Sequence, residues 1–170
     1  MPATISFPVA TPGGPRTARV VHERRGAGRP LVLLHGIGHH WQAWQPVLDI
    51  LAVDRDVIAV DLPGFGASET LPDGIPYDVD GVIPVLGALF EALGVERPDV
   101  AGNSLGGLLA LELGRAGLVR SVTALAPARF WTEANAATPS VCSPRCGPVR
   151  GRCRRRWWRG WPAARPGGPR

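Results

Sequence analysis

Apolar positions fall into two kinds of run that alternate along the chain. Residues 16–23 (RTARVVHE) form a short β-branched run that predicts a strand. Residues 30–34 (PLVLL) and 56–61 (DVIAVD) are nearly continuous apolar runs, the pattern of strands buried on both faces. Residues 98–101 (PDVA) and 118–126 (LVRSVTALA) complete the strand set. Between them the spacing turns helical. Trp41, Trp44, Leu48 and Leu51 share one face of 41–53, with Pro46 as a helix start inside it. Residues 77–94 predict a second helix, started or kinked by Pro84 and stopped by Gly94, and 108–115 a third. Residues 24–29, 35–40, 62–68 and 102–107 are glycine-bearing turns and loops. Strands alternating with helices predict an α/β protein, a parallel sheet with helices on both faces. In such a sheet ligands bind beyond the carboxyl ends of the strands. Three loops start there: HGIG at 35–38, DLPGFGAS at 61–68 and GNSLGG at 102–107.

Charge divides the chain differently. Its net charge is +5, yet residues 1–138 hold 10 arginines against 14 acids, and 139–170 hold 9 arginines and no acid. The tail also contains all three cysteines (Cys142, Cys146, Cys153) and lacks Leu, Ile, Phe, Met and Tyr. It has no periodicity that would bury a face, so 136–170 is expected to be a disordered basic tail. The chain has no lysine. With its Ala, Gly and Pro content this suggests GC-rich coding DNA, in which a shifted frame yields such a tail. Residues 1–15 are expected to be a flexible N-terminus and 16–135 the folded domain. At 170 residues, 45% hydrophobic and 19% charged, collagen, a coiled coil and wholesale disorder are excluded. No apolar run approaches the roughly 18 residues of a membrane span, and residues 1–16 lack the basic and apolar regions of a secretory signal. A cytoplasmic location is expected.

The candidate chemistry centres on Gly102-Asn103-Ser104-Leu105-Gly106, a G-x-S-x-G between a predicted strand and helix. A serine at such a turn occupies a strained backbone with its hydroxyl at the sheet rim. Gly102 and Gly106 supply the small neighbours the turn requires. The bland alternative is a serine that merely caps the helix. Acyl transfer needs N–H donors aimed at an oxyanion, and Ile37 and Leu105 could supply them, with Gly36 and its neighbours shaping the first loop. His35 reads as a structural loop histidine, and His39 and His40 as rim residues, with His39 an alternative base. Residues 61–68 fail the dinucleotide pattern because position 69 is Glu69. No metal and no cofactor is expected: adjacent histidines diverge, and three cysteines lack a fourth ligand.

On the segments LVLLHGIG at 31–38, VIAVDLPGFGAS at 57–68 and VAGNSLGGLLALEL at 100–113, the chain resembles the N-terminal half of the α/β-hydrolase fold family. The resemblance covers roughly residues 16–135. It implies a partial α/β-hydrolase-like sheet, Ser104 as nucleophile, the Ile37 and Leu105 N–H groups as oxyanion hole, and a small ester-like substrate. A serine rather than an aspartate nucleophile disfavours the dehalogenase and epoxide hydrolase branches.

The family's triad runs Ser, then Asp or Glu, then His. All four histidines (His22, His35, His39, His40) precede Ser104, and the only later acids are Glu112 and Glu133. The sequence is therefore expected to be truncated or frame-shifted before the catalytic acid and base, with turnover impaired. The strand near 118–126 would be an open edge prone to aggregation or dimerisation. A catalytically dead or binding-only relative is the alternative function. Its evidence is RGRCRRRWWR at 150–159, whose charge and aromatics suit polyanions without specific nucleic-acid recognition. Trp41, Trp44, Phe65 and Trp131 are expected mainly in core packing, and otherwise as pocket walls.

Overall fold

The computed structural model describes residues 1–128. They form one six-stranded sheet, β1 Ala3–Val9, β2 Arg16–Arg25, β3 Arg29–Leu34, β4 Arg55–Val60, β5 Asp99–Asn103 and β6 Ser121–Leu125, in the spatial order β1-β2-β4-β3-β5-β6. Three helices connect the later strands: α1 Gln45–Leu51, α2 Val79–Ala92 and α3 Leu105–Arg115. A 3-10 turn, Trp41–Trp44, leads into α1, with Pro46 in its first turn. The basic tail, Glu133 and Trp131 lie outside the described residues.

The sheet is mixed rather than parallel throughout. β4, β3, β5 and β6 are parallel, whereas β2 runs antiparallel to β4, and β1 antiparallel to β2. The physical reason is the connector between β2 and β3. Residues 26–28 are far too few for the crossover of a dozen or more residues that a parallel arrangement needs.

Residues 3–9 also correct the expectation of a flexible N-terminus. They form β1, paired residue by residue with β2 from Ala3↔His22 to Val9↔Arg16. Ile5, Phe7 and Val9 alternate toward the core. Pro8 is tolerated because β1 is an edge strand, where a missing N–H removes no bond from a central ladder.

Two apolar layers flank the sheet, and strand alternation assigns residues to each. Val32, Leu34, Ile58, Val60 and Val100 face the larger core with Leu86, Leu89, Leu109 and Leu113 of α2 and α3. Leu33, Val57 and Ala59 face the smaller core with Trp41 and the fully buried Leu48 of α1. Helix α2 begins at Asp78, whose carboxylate accepts the Gly81 N–H at 2.9 Å. It ends where Gly94 turns left-handed at φ 69°, with Val95 N–H bonded to the Phe90 carbonyl. Pro84 neither starts nor stops this helix. Burial of Val82, Ile83, Val85 and Leu86 around it outweighs the one donor it removes.

The topology decides where a site can form. From β3 the chain crosses to β4 on one side, and then returns past β3 to β5 on the other. The order reverses at β3, so the carboxyl ends of β3 and β5 open a crevice between their loops. Register places Leu34 opposite Gly102, directly before the HGIG and NSLG segments. The opposite rim is tied by charge. Asp99 accepts from Arg55, Arg120 and the Ser121 hydroxyl, and Arg24 clasps Asp56 with two bonds at 2.8 and 2.7 Å.

Candidate active site

Ser104 lies between the end of β5 and the first residue of α3, at φ 52° and ψ −110°. A positive φ at a non-glycine residue costs on the order of 1–3 kcal/mol and persists only where surrounding contacts impose it. Here they do. The Ser104 N–H donates to the Leu125 carbonyl at 2.9 Å, and its carbonyl accepts from Leu108 at 3.1 Å and Ala128 at 2.9 Å. The flanking glycines are packed backbone to backbone. A Cβ on Gly102 would stand 2.1 Å from the Gly106 carbonyl oxygen, and one on Gly106 would stand 2.1 Å from the Leu34 carbonyl oxygen. The serine side chain makes no capping hydrogen bond, so the helix-cap explanation of this residue fails.

The loop after β3 lies against this turn. A Cβ added to Gly36 would be 3.3 Å from the Ser104 Cβ and 3.2 Å from the Asn103 Oδ1. Residues 36–39 close a β-turn, the His39 N–H donating to the Gly36 carbonyl at 3.2 Å, with Gly38 at φ 74° in the position that requires a left-handed residue. Ile37, exposed at the tip, and Leu105, at the start of α3, both have backbone N–H groups without a hydrogen-bond acceptor among the described residues. The N-terminal end of α3 adds its positive dipole end beside Ser104.

His35 is fully buried and both its ring nitrogens are engaged. The Leu62 N–H donates to Nε2 at 3.0 Å, so Nε2 carries no proton, and Nδ1–H donates to the Gly36 carbonyl at 2.7 Å. Burial, opposed by the Gly36 bond and assisted by His39 and His40, lowers its pKa to about 4. The ring meets Phe65 edge-on at 5.6 Å. It is a neutral brace between the loops after β3 and β4, and no base.

Asp61 is a second brace, one whose role the sequence pattern did not show. Its buried carboxylate accepts from the Trp41 N–H at 2.6 Å and the Ala67 N–H at 2.8 Å, and its carbonyl accepts from the Ser68 hydroxyl at 2.7 Å. Residues 61–68 therefore serve to lock the rim. The available signal was an Asx residue ahead of a glycine-rich turn.

A cavity of about 210 Å³ is walled by Gly36, His39, Trp44, Leu125 and Asn103, the residue before Ser104, among others. Trp44 and Asn103 thus reach the site. Trp41 and Phe65 are core residues instead. His40 is exposed ahead of the 3-10 turn, and His22 lies on β2. Glu112 pairs with Arg115 at 2.7 Å on α3. Among the described residues no group of three or more His, Cys, Asp or Glu could hold a metal, and no helix is long and apolar enough to cross a membrane.

Comparison with known proteins gives concordant findings. Residues 31–170 match the model of the alpha/beta hydrolase family. Over 89 residues the chain is 43% identical to 2-hydroxy-6-oxo-2,4-heptadienoate hydrolase of Pseudomonas putida, covering 51% of this chain and 32% of that protein. It is 38% identical over 91 residues to pimeloyl-[acyl-carrier protein] methyl ester esterase of Legionella pneumophila, covering 54% and 34%. The naproxen esterase of Bacillus subtilis superposes with a TM-score of 0.61 at 29% identity, over 74% of this chain and 44% of that one. The chain spans about a third of the length of the curated relatives it matches.

Proposed function

The chain belongs to the alpha/beta hydrolase family, and from that premise we propose that Ser104 is the nucleophile of a hydrolase acting on a small ester or related carbonyl compound. The observation that carries this reading is the strained serine between Gly102 and Gly106, beside two unpaired backbone N–H groups. Relatives named for a heptadienoate hydrolase and a methyl ester esterase support a substrate with a carbonyl group.

The chemistry follows from the geometry. The Ser104 hydroxyl attacks the substrate carbonyl carbon, and the carbonyl electron pair moves to oxygen. The Ile37 and Leu105 N–H groups stabilise that oxyanion, with α3's dipole adding to the field. Loss of the leaving group gives an acyl-serine, which water hydrolyses. His35 and Asp61 hold the two loops in place, which keeps the donors preorganised rather than solvated.

No histidine follows Ser104 in these 170 residues, so they do not fill the family's usual base position after the nucleophile, and a serine hydroxyl without a triad base is a weak nucleophile. Slow turnover is expected of these residues on their own. Loss of a triad base costs on the order of 10⁶ in rate and leaves a residual 10³–10⁴ over water. A fluorophosphonate probe and an activated aryl ester test the reading. The expected result is slow labelling and slow ester turnover that Ser104→Ala removes. Equal labelling of the Ser104→Ala protein, or none in a folded wild-type chain, overturns it.

A further inference from the structure

Resting on that assignment of Ser104, we propose that His39 is the proton acceptor for the Ser104 hydroxyl in this chain. The observation is a juxtaposition made by the turn at 36–39. Gly36 packs against Ser104, a Cβ there standing 3.3 Å from the serine Cβ. The 3.2 Å bond from the His39 N–H to the Gly36 carbonyl folds the loop back, so that His39 returns to the level of Gly36. A turn of this kind brings its first and last Cα atoms within about 7 Å. His39 then walls the same cavity as Gly36, which packs against the serine, and Asn103, which precedes it.

Elimination supports the assignment. His35 has both ring nitrogens engaged inside the fold. His22 sits in β2, with Val60 of β4 beside it, across the sheet from β5. His40 precedes the 3-10 turn and is not among the cavity walls. Of the four histidines, His39 alone combines an exposed ring, a place on the cavity wall and no ring hydrogen bond among the described residues; His40 is exposed but does not wall the cavity. Among the described residues, His35 is the only other titratable wall of the cavity.

The step balances without another reagent. As the Ser104 oxygen bonds to the acyl carbon, its proton moves to the unprotonated nitrogen of the His39 imidazole. When the carbon–oxygen bond of the ester breaks, that proton passes to the departing alkoxide. With a fluorophosphonate the oxygen–phosphorus bond forms, fluoride leaves and the proton remains on His39. No carboxylate bonds to His39 among the described residues, so the ring is less firmly oriented than a triad histidine. General-base assistance contributes 10²–10⁴-fold at full strength, and about tenfold or more is expected here.

The test compares wild type, His39→Ala, His40→Ala and Ser104→Ala, each checked for cooperative thermal unfolding, by fluorophosphonate labelling with and without added imidazole. The expected result is labelling slowed at least about tenfold in His39→Ala, restored in part by imidazole, and unchanged in His40→Ala. A folded His39→Ala protein that labels at the wild-type rate overturns the role of His39 while leaving Ser104 as nucleophile. A slowed variant that imidazole does not restore also overturns it, assigning His39 to loop structure. Wild-type labelling that persists in Ser104→Ala overturns the underlying reading of the serine.

Discussion

At the residue scale, Ser104 carries the largest conflict between local preference and the fold. Its φ of 52° is disfavoured for any side chain with a Cβ, and three backbone bonds enforce it. Removing the side chain should therefore relieve strain. Ser104→Gly is expected to be more stable than Ser104→Ala by about 1 kcal/mol in denaturant unfolding, while both lose labelling. Equal midpoints would argue that the backbone there is unstrained. The glycines behave oppositely. Gly102→Ala and Gly106→Ala would each drive a methyl into backbone, so a loss of about 3 kcal/mol or more is expected, read from the same titration. Ser104, Gly102 and Gly106 were legible in the sequence because a strand-turn-helix is local. The reach of Asn103 into the cavity was not, because nothing in its own neighbourhood points there, and Trp44 was open between core packing and a pocket wall until the fold placed it on the cavity.

At the element scale, the loops after β3 and β4 act as one unit because His35 and Asp61 bond across them. The His35 pKa is depressed to about 4, so between pH 6.5 and about 4 the unfolded chain binds more protons than the folded one. Stability is fully present above pH 6.5 and declines as pH falls through that window, by on the order of 3 kcal/mol. His35→Phe is expected to flatten this decline in denaturant midpoints measured across the window. A residual slope belongs to His22, whose pKa is lowered by burial and by Arg24 against the opposing Glu23, and at the acid end to Glu23 and Asp99, in which burial is outweighed by hydrogen bonds from Arg25 and the N-terminus and from Ser121 and Arg120, so that both carboxyls are held below their ordinary values. An undiminished slope would refute the assignment. At neutral pH the same variant loses about 1–3 kcal/mol, because the Leu62 N–H is left without an acceptor. Asp61→Asn is expected to cost about 2 kcal/mol, since its amide would confront the Trp41 or Ala67 N–H with a second donor. Chemical unfolding of that variant at pH 7 measures it.

At the scale of the whole molecule, the sheet ends at β6 among the described residues, with Leu125 exposed at its carboxyl end and the α1 side bearing exposed Val47 and Ile50. An open edge of this kind pairs readily with another strand. Concentration-dependent association is expected in size-exclusion chromatography, and Thr123→Lys, on the exposed face of β6, is expected to reduce it. A wild-type chain that stays monomeric over the full concentration range would speak against edge pairing. Element types and order along 16–126, and the serine turn, followed from local rules: alternating apolar runs, a proline in the first turn of α1, a left-handed glycine after α2. The strand order did not, nor the antiparallel β1 and β2, nor the braces of His35 and Asp61, nor the return of His39 to the side of Gly36. Those features join residues far apart in the chain, and periodicity says which face is apolar but not which partner covers it. Their energies exist only once distant segments are packed together, and so they had to be read from the folded chain.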